Sequence, residues 1–178
     1  MNYFIQFLTY FRILIAPIIF ILITLYDSYG LALFLFFLAS ISDYWDGFLA
    51  RKYNLESIIG AVLDPIADKI LLTFLILALS IELSSIFIGL MGGLILAREF
   101  WVGALRDLNA RNNNNQATSV SFFAKAKTSV QFITFTSYII GLYSGSALVL
   151  FISNFFLFLA LIITLQTGLS YTIATFKS

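Results

Sequence analysis

Apolar residues run along this chain in stretches of about 20, the length a helix needs to cross a bilayer, and short polar breaks separate them. The runs predict six helices: Leu8 to Tyr26, Leu31 to Tyr53, Ser57 to Ser80, Ser85 to Leu108, Ser121 to Tyr143 and Ala147 to Phe176. The breaks carry turn chemistry, as in Asp27-Ser28-Tyr29-Gly30 and Ser144-Gly145-Ser146, where small and polar residues tolerate tight backbone. Asn109 to Ser119, which includes Asn112 to Asn115, reads as a loop because Asn side chains compete with helical backbone bonds. No small-residue cleavage site follows the first run and more apolar runs come after it, so it reads as a membrane helix rather than a signal peptide.

Composition narrows the class. Of 178 residues, 61% are hydrophobic and 11% charged, and the mean hydropathy is +0.98. A soluble domain carries about 25% charged residues. The chain is therefore expected to be an all-α integral membrane protein, six transmembrane helices in a bundle, with no internal repeat and no soluble domain. It has no Cys and no His, so thiolate chemistry, imidazole bases and the usual zinc ligands are excluded. Any metal must be held by oxygen, which points to Mg²⁺ or Mn²⁺. A net charge of +1 gives no reason to expect nucleic acid.

Charge placement gives the orientation. One set of alternate loops holds Arg51 and Lys52, then Arg106 to Arg111 with nearby Lys125 and Lys127, and finally Lys177, whereas the turns at Asp27, Glu82 and Ser144 to Ser146 contain no Lys or Arg. Basic residues stay on the cytoplasmic side, so both termini are expected in the cytoplasm. The protein reads as multi-pass in the cell (inner) membrane with its active site facing the cytoplasm. Asp43, Asp46, Asp64, Asp68, Lys69, Arg98, Glu99, Lys125 and Lys127 then share one depth, near the inner leaflet.

Four of those residues stand out. Asp43, Asp46, Gly47 and Ala50 fall at i, i+3, i+4 and i+7 of the second helix, and Gly60, Asp64 and Asp68 at i, i+4 and i+8 of the third. Each set shares one helical face. A short loop makes these helices antiparallel neighbours, so the carboxylate stripes can face each other while Gly and Ala let backbone and ligand come close. Surface pairing accounts well for Asp27, Glu82 and Asp107, which lie near helix ends. It accounts poorly for the four: a carboxylate inside a membrane helix costs at least ~2.5 kcal/mol, and four together repel. Bridging divalent cations relieve both costs. A transporter would instead spread its acids across the bilayer and show inverted repeats.

The pattern Asp43-x2-Asp46-Gly47-x2-Ala50-Arg51-x8-Gly60-x3-Asp64-x3-Asp68 resembles the signature of the CDP-alcohol phosphatidyltransferases at all eight fixed positions. That resemblance implies one six-helix membrane domain over residues 1–178, with a short interfacial segment at 1–7 and a cytoplasmic loop at 109–120. It implies transfer of a phosphatidyl group from a CDP-linked lipid such as CDP-diacylglycerol to an alcohol, with release of CMP. Asp43, Asp46, Asp64 and Asp68 would hold two divalent metal ions, and Asp68 would also deprotonate the acceptor. Asp43, Gly47, Ala50, Arg51 and Gly60 would line the donor's nucleotide end, with Arg51 positioning phosphate. A homodimer is expected. Leu8, Thr9 and Arg12 match a further stretch of the family's pattern, while Ile5-Gln6 replaces its Pro-Asn pair.

The basic residues speak to the acceptor. Arg98-Glu99-Phe100, Arg106 and Lys125-x-Lys127-Thr128-x2-Gln131 resemble a secondary pattern of the members that make phosphatidylglycerophosphate. Arg98, Arg106, Lys125 and Lys127 are expected to bind an acceptor phosphate, since Arg fits phosphate bidentately and Lys adds point charge. Glycerol 3-phosphate suits them; an inositol phosphate, or phosphatidylglycerol as in a cardiolipin synthase, are the alternatives.

Overall fold

The computed structural model describes residues 2–53, 58–111 and 122–177, with the side chains of 2–6, 43, 44, 46–53, 58–62 and 122–126 set aside. These residues form six helices: α1 (Asn2–Thr24), α2 (Tyr29–Tyr53), α3 (Ile58–Glu82), α4 (Ile86–Arg111), α5 (Phe122–Ser144) and α6 (Ala147–Phe176). All six expected helices are present, most of their ends within two residues of expectation and two further off. α1 is continuous from Asn2, so no break separates residues 2–7 from the first span. α4 continues past the expected end at Leu108 to Arg111. There Asn109 is buried, and its side-chain amide donates to Thr175 Oγ1 at 2.9 Å, which removes its competition with the helical backbone.

Among the described residues, three helical segments are long and apolar enough to cross a membrane: Phe7–Thr24, Ile86–Arg111 and Ala147–Phe176. Leu14, Phe34, Leu90, Phe151 and Phe155 are exposed. An outer surface this apolar suits lipid rather than water.

The chain divides into two compact units, α1–α3 and α4–α6. In the first, α1 packs against both α2 and α3. Its core is a stripe on each helix: Ala16, Ile19 and Ile23 on α1; Ala32, Phe36 and Ala39 on α2; Ala67, Leu71, Leu75 and Leu79 on α3. The alanines allow close approach where lipid offers no hydrophobic drive. Phe20 meets Phe74 edge-on, ring centroids 6.0 Å apart. In the second unit α6 is the common neighbour of α4 and α5. A Cβ at Gly141 would meet the Leu150 side chain at 2.7 Å, so glycine lets the end of α5 lie against the start of α6. The buried Tyr138 donates to Asn154 Oδ1 at 2.6 Å.

The three turns expected on the side without Lys or Arg share one construction. Asp27, Ser84 and Gly145 have φ of 49°, 45° and 63°, the left-handed conformation that ends many helices. Around them the backbone closes on itself: Ser28 N–H donates to Leu22 C=O, Ser85 to Ser80 and Ser146 to Gly141, at 2.9, 3.0 and 3.1 Å. The Ser146 hydroxyl then caps α6. Glu82 and Asp27, read as surface acids, both accept from the Tyr29 hydroxyl, at 2.5 and 3.3 Å.

Candidate active site

In the first unit the core stripe changes character toward the N-terminal ends of α1 and α3. On α1 the run Ile23, Ile19, Ala16 continues to Arg12 and Thr9; on α3 the run Leu75, Leu71 continues to Asp68 and Asp64. Thr9 Oγ1 donates to Asp64 Oδ1 at 2.6 Å, and Arg12 Nη1 pairs with Asp68 Oδ1. With the Phe20–Phe74 contact, these pairs lie 55, 56 and 54 residues apart in sequence. A nearly constant offset means that α1 and α3 run parallel and in register. The carboxylates therefore sit where the apolar seam ends.

Burial separates the partners. The Arg12 side chain is 1% exposed and that of Asp68 is 55% exposed. A buried guanidinium needs a partner for its charge; Asp68 provides it while its outer side remains reachable. Asp64, half-buried, takes its hydrogen bond from the fully buried Thr9. Two helix-borne carboxylates, each oriented by a donor from α1, make a preorganised oxygen surface one turn long. Such a surface fits a hard divalent cation. Among the described residues no group of three or more possible ligands gathers, and the other two expected ligands, Asp43 and Asp46, have side chains outside them. The same holds for Gly47, Ala50, Arg51, Gly60 and Lys125; their positions are helical, in α2, α3 and α5.

The second unit contains a cluster of the opposite sign. Arg98 of α4 is buried and donates from Nη1 to Glu99 Oε1 at 3.0 Å and from Nη2 to Thr167 Oγ1 of α6 at 2.7 Å. Lys127 of α5 donates to the same Glu99 oxygen at 2.6 Å. Two turns along α4, Arg106 lies over the Tyr171 ring, 5.4 Å from its centroid, with Nη2 3.4 Å from the Tyr171 hydroxyl. Arg98 and Lys127 thus share the Glu99 carboxylate, and with Arg106 the cations outnumber the acid in this cluster among the described residues. The structure brings these three expected acceptor residues onto one face of the α4–α6 unit.

Sequence reasoning left several residues without a role. Thr9 and Arg12 were matched to a pattern but not to partners, and Glu99 was not foreseen as the bridge between Arg98 and Lys127. It gave no role to any residue of α6. Thr164, Thr167, Gly168, Tyr171 and Thr175 recur at helical spacing in an otherwise apolar helix, and they meet Gln131, Arg98, Arg106 and Asn109. That stripe of small and hydroxyl residues was the available signal.

Comparison with known proteins bears on both clusters. Residues 5–166 match the sequence profile of the CDP-alcohol phosphatidyltransferases. The chain is 38% identical over 171 residues to a Rickettsia bellii protein named CDP-diacylglycerol–glycerol-3-phosphate 3-phosphatidyltransferase, covering 93% of this chain and 91% of that one. Proteins of the same name from Wigglesworthia glossinidia brevipalpis and Shigella flexneri are 34% and 31% identical. The first alignment covers 87% of this chain and 88% of the relative, the second 92% and 90%.

Proposed function

This chain belongs to the CDP-alcohol phosphatidyltransferase family, and on that footing we propose that it transfers the phosphatidyl group of CDP-diacylglycerol to sn-glycerol 3-phosphate, giving phosphatidylglycerophosphate and CMP. The acceptor's hydroxyl oxygen forms the new bond to the phosphorus that carries the diacylglycerol. The bond from that phosphorus to CMP breaks, and the hydroxyl proton passes to Asp68. With no His or Cys in the chain, a carboxylate is the available base.

Bound at Asp43, Asp46, Asp64 and Asp68, two divalent cations (Mg²⁺ or Mn²⁺) would neutralise the pyrophosphate and the departing phosphate. The chain's own residues do the rest. Arg12 and Thr9 hold Asp68 and Asp64 in place, while Asp43, Gly47, Ala50, Arg51 and Gly60 accommodate the nucleotide end of the donor. Arg98, Arg106, Lys125 and Lys127 bind the acceptor's phosphate.

The observation that carries the acceptor assignment is the Arg98–Glu99–Lys127 cluster, whose cations outnumber its carboxylate. With Arg106 nearby, the three cations exceed that carboxylate by two charges, which a dianionic phosphate balances; serine, choline or ethanolamine would not. Purified protein in mixed micelles, given CDP-diacylglycerol and Mg²⁺, should release CMP with glycerol 3-phosphate and not with inositol 1-phosphate or phosphatidylglycerol. A preference for either of the latter would replace the acceptor. Chelation of divalent ions should stop release, and turnover in their absence would refute the metal assignment.

The same reading has six spans in the cell membrane as a homodimer, both termini and the site at the cytoplasmic face, on the strength of the turns that lack Lys and Arg. The chain has no native Cys, so a cysteine placed at Ser144 should react with an impermeant maleimide from outside and one at Asn113 should not. The reverse labelling would invert the topology.

A further inference from the structure

The position of Arg98 depends on α6 in a way that the acceptor assignment does not require. A Cβ built on Gly168 would lie 2.9 Å from Arg98 Cγ and 3.0 Å from its Nε, closer than packed atoms come. The atoms it would strike belong to the Arg98 side chain, so an added methyl forces Arg98 or the α4–α6 seam to shift. One residue earlier, the Thr167 hydroxyl accepts from Arg98 Nη2 at 2.7 Å and is itself anchored to the Ile163 carbonyl at 2.9 Å. Arg98 Nε has no hydrogen-bond partner among the described residues. The guanidinium is therefore located by a notch and a hydroxyl on α6 and a carboxylate on α4.

We propose that Thr167 and Gly168 are positioning residues for the acceptor: they form a socket on α6 that aims Arg98 at an incoming phosphate. The inference rests on the reading of the cation cluster as the acceptor's phosphate site. A bidentate contact tolerates little misplacement, so the socket sets affinity for a phosphorylated alcohol while leaving the donor and the chemical step alone.

The test is steady-state kinetics on the full-length enzyme in micelles, varying each substrate in turn. Gly168→Ala and Thr167→Val should each raise the KM for glycerol 3-phosphate about tenfold, the loss expected from one misplaced charged hydrogen bond. The kcat and the KM for CDP-diacylglycerol should stay within about twofold. Thr167→Ser, which keeps the hydroxyl, should restore the wild-type KM. In an Arg98→Ala background neither variant should add a further rise, because the side chain they position is gone.

If Arg98→Ala raises the acceptor KM while Gly168→Ala and Thr167→Val leave it at wild type, the socket is refuted and the acceptor site stands. If Arg98→Ala itself leaves that KM unchanged, the acceptor reading fails and the socket with it. Should Gly168→Ala fold poorly, Thr167→Val decides alone. A uniform loss in kcat and in both KM values, or effects undiminished without Arg98, would mark α6 as merely structural and overturn the proposal.

Discussion

The two units each bury an arginine in a helix seam, and they neutralise it in opposite ways. Arg12 in the first unit meets a carboxylate on another helix, Asp68, which is left more than half exposed. Arg98 in the second meets the carboxylate of its own neighbour, Glu99, which is largely buried and already serves Lys127. In the first case a cation supports acids that face outward; in the second an acid holds cations together. Acids supported by a buried cation suit positively charged ligands, and cations sharing one acid suit a negatively charged one. Local charge arithmetic thus supports the proposed division between a donor-and-metal site and an acceptor site.

If that contrast holds, substitutions in the two units should affect different kinetic constants. The largest effect belongs to Asp68→Asn, which under the proposed mechanism removes both a metal ligand and the base. CMP release should fall about 10³-fold, and a variant that retains wild-type transfer would take Asp68 out of the mechanism. Next comes Arg12→Leu, which deprives Asp68 of the group that orients it. Turnover should drop about 10- to 100-fold, as when the partner of a metal ligand is lost, with the KM for glycerol 3-phosphate unmoved. A rise in that KM alone would put Arg12 in the acceptor site and erase the distinction.

Arg98→Ala should do the converse, raising the KM for glycerol 3-phosphate about 10- to 100-fold for the loss of charge-assisted hydrogen bonds while kcat changes little. A kcat loss at constant KM would assign Arg98 to the chemical step. The smallest effect is expected for Glu99→Gln, read as stability rather than kinetics. Arg98 and Lys127 keep a hydrogen-bond acceptor but lose their shared charge, so the protein should lose about 1–3 kcal/mol in detergent unfolding. An unchanged or increased stability would show that Glu99 is not what holds the pair.

Much of this architecture was legible in the chain because the bilayer imposes simple rules. Runs of about 20 apolar residues predicted all six helices, and Asp27 and Gly145 fall where turn chemistry was expected. Asp64 and Asp68 could be placed on one face from spacing alone, since i and i+4 share a face in any α-helix. What the sequence does not carry is the partner across a helix seam. The register that sets Thr9 beside Asp64 and Arg12 beside Asp68 depends on how Ala16 and Ala67 let α1 and α3 approach, which is decided by packing. α6 was passed over for a different reason. It is so apolar that it reads as lipid-facing, and five small or hydroxyl residues spread over three turns hardly change that average. Only the knowledge that Arg98 lies opposite Gly168 turns them into a site.

The self-closing turns at Asp27, Ser84 and Gly145 have a consequence for how such a chain reaches its final place. Under the proposed topology, each must be carried through the hydrocarbon to the far side of the membrane during biogenesis. A backbone group moved into lipid without a partner costs several kcal/mol. In these turns the amides of Ser28, Ser85 and Ser146 already find carbonyls within the same turn, and no lysine or arginine travels with them. The segments that cross the membrane are thus short, free of basic residues and internally bonded, so the geometry that joins neighbouring helices also lowers the barrier to their delivery.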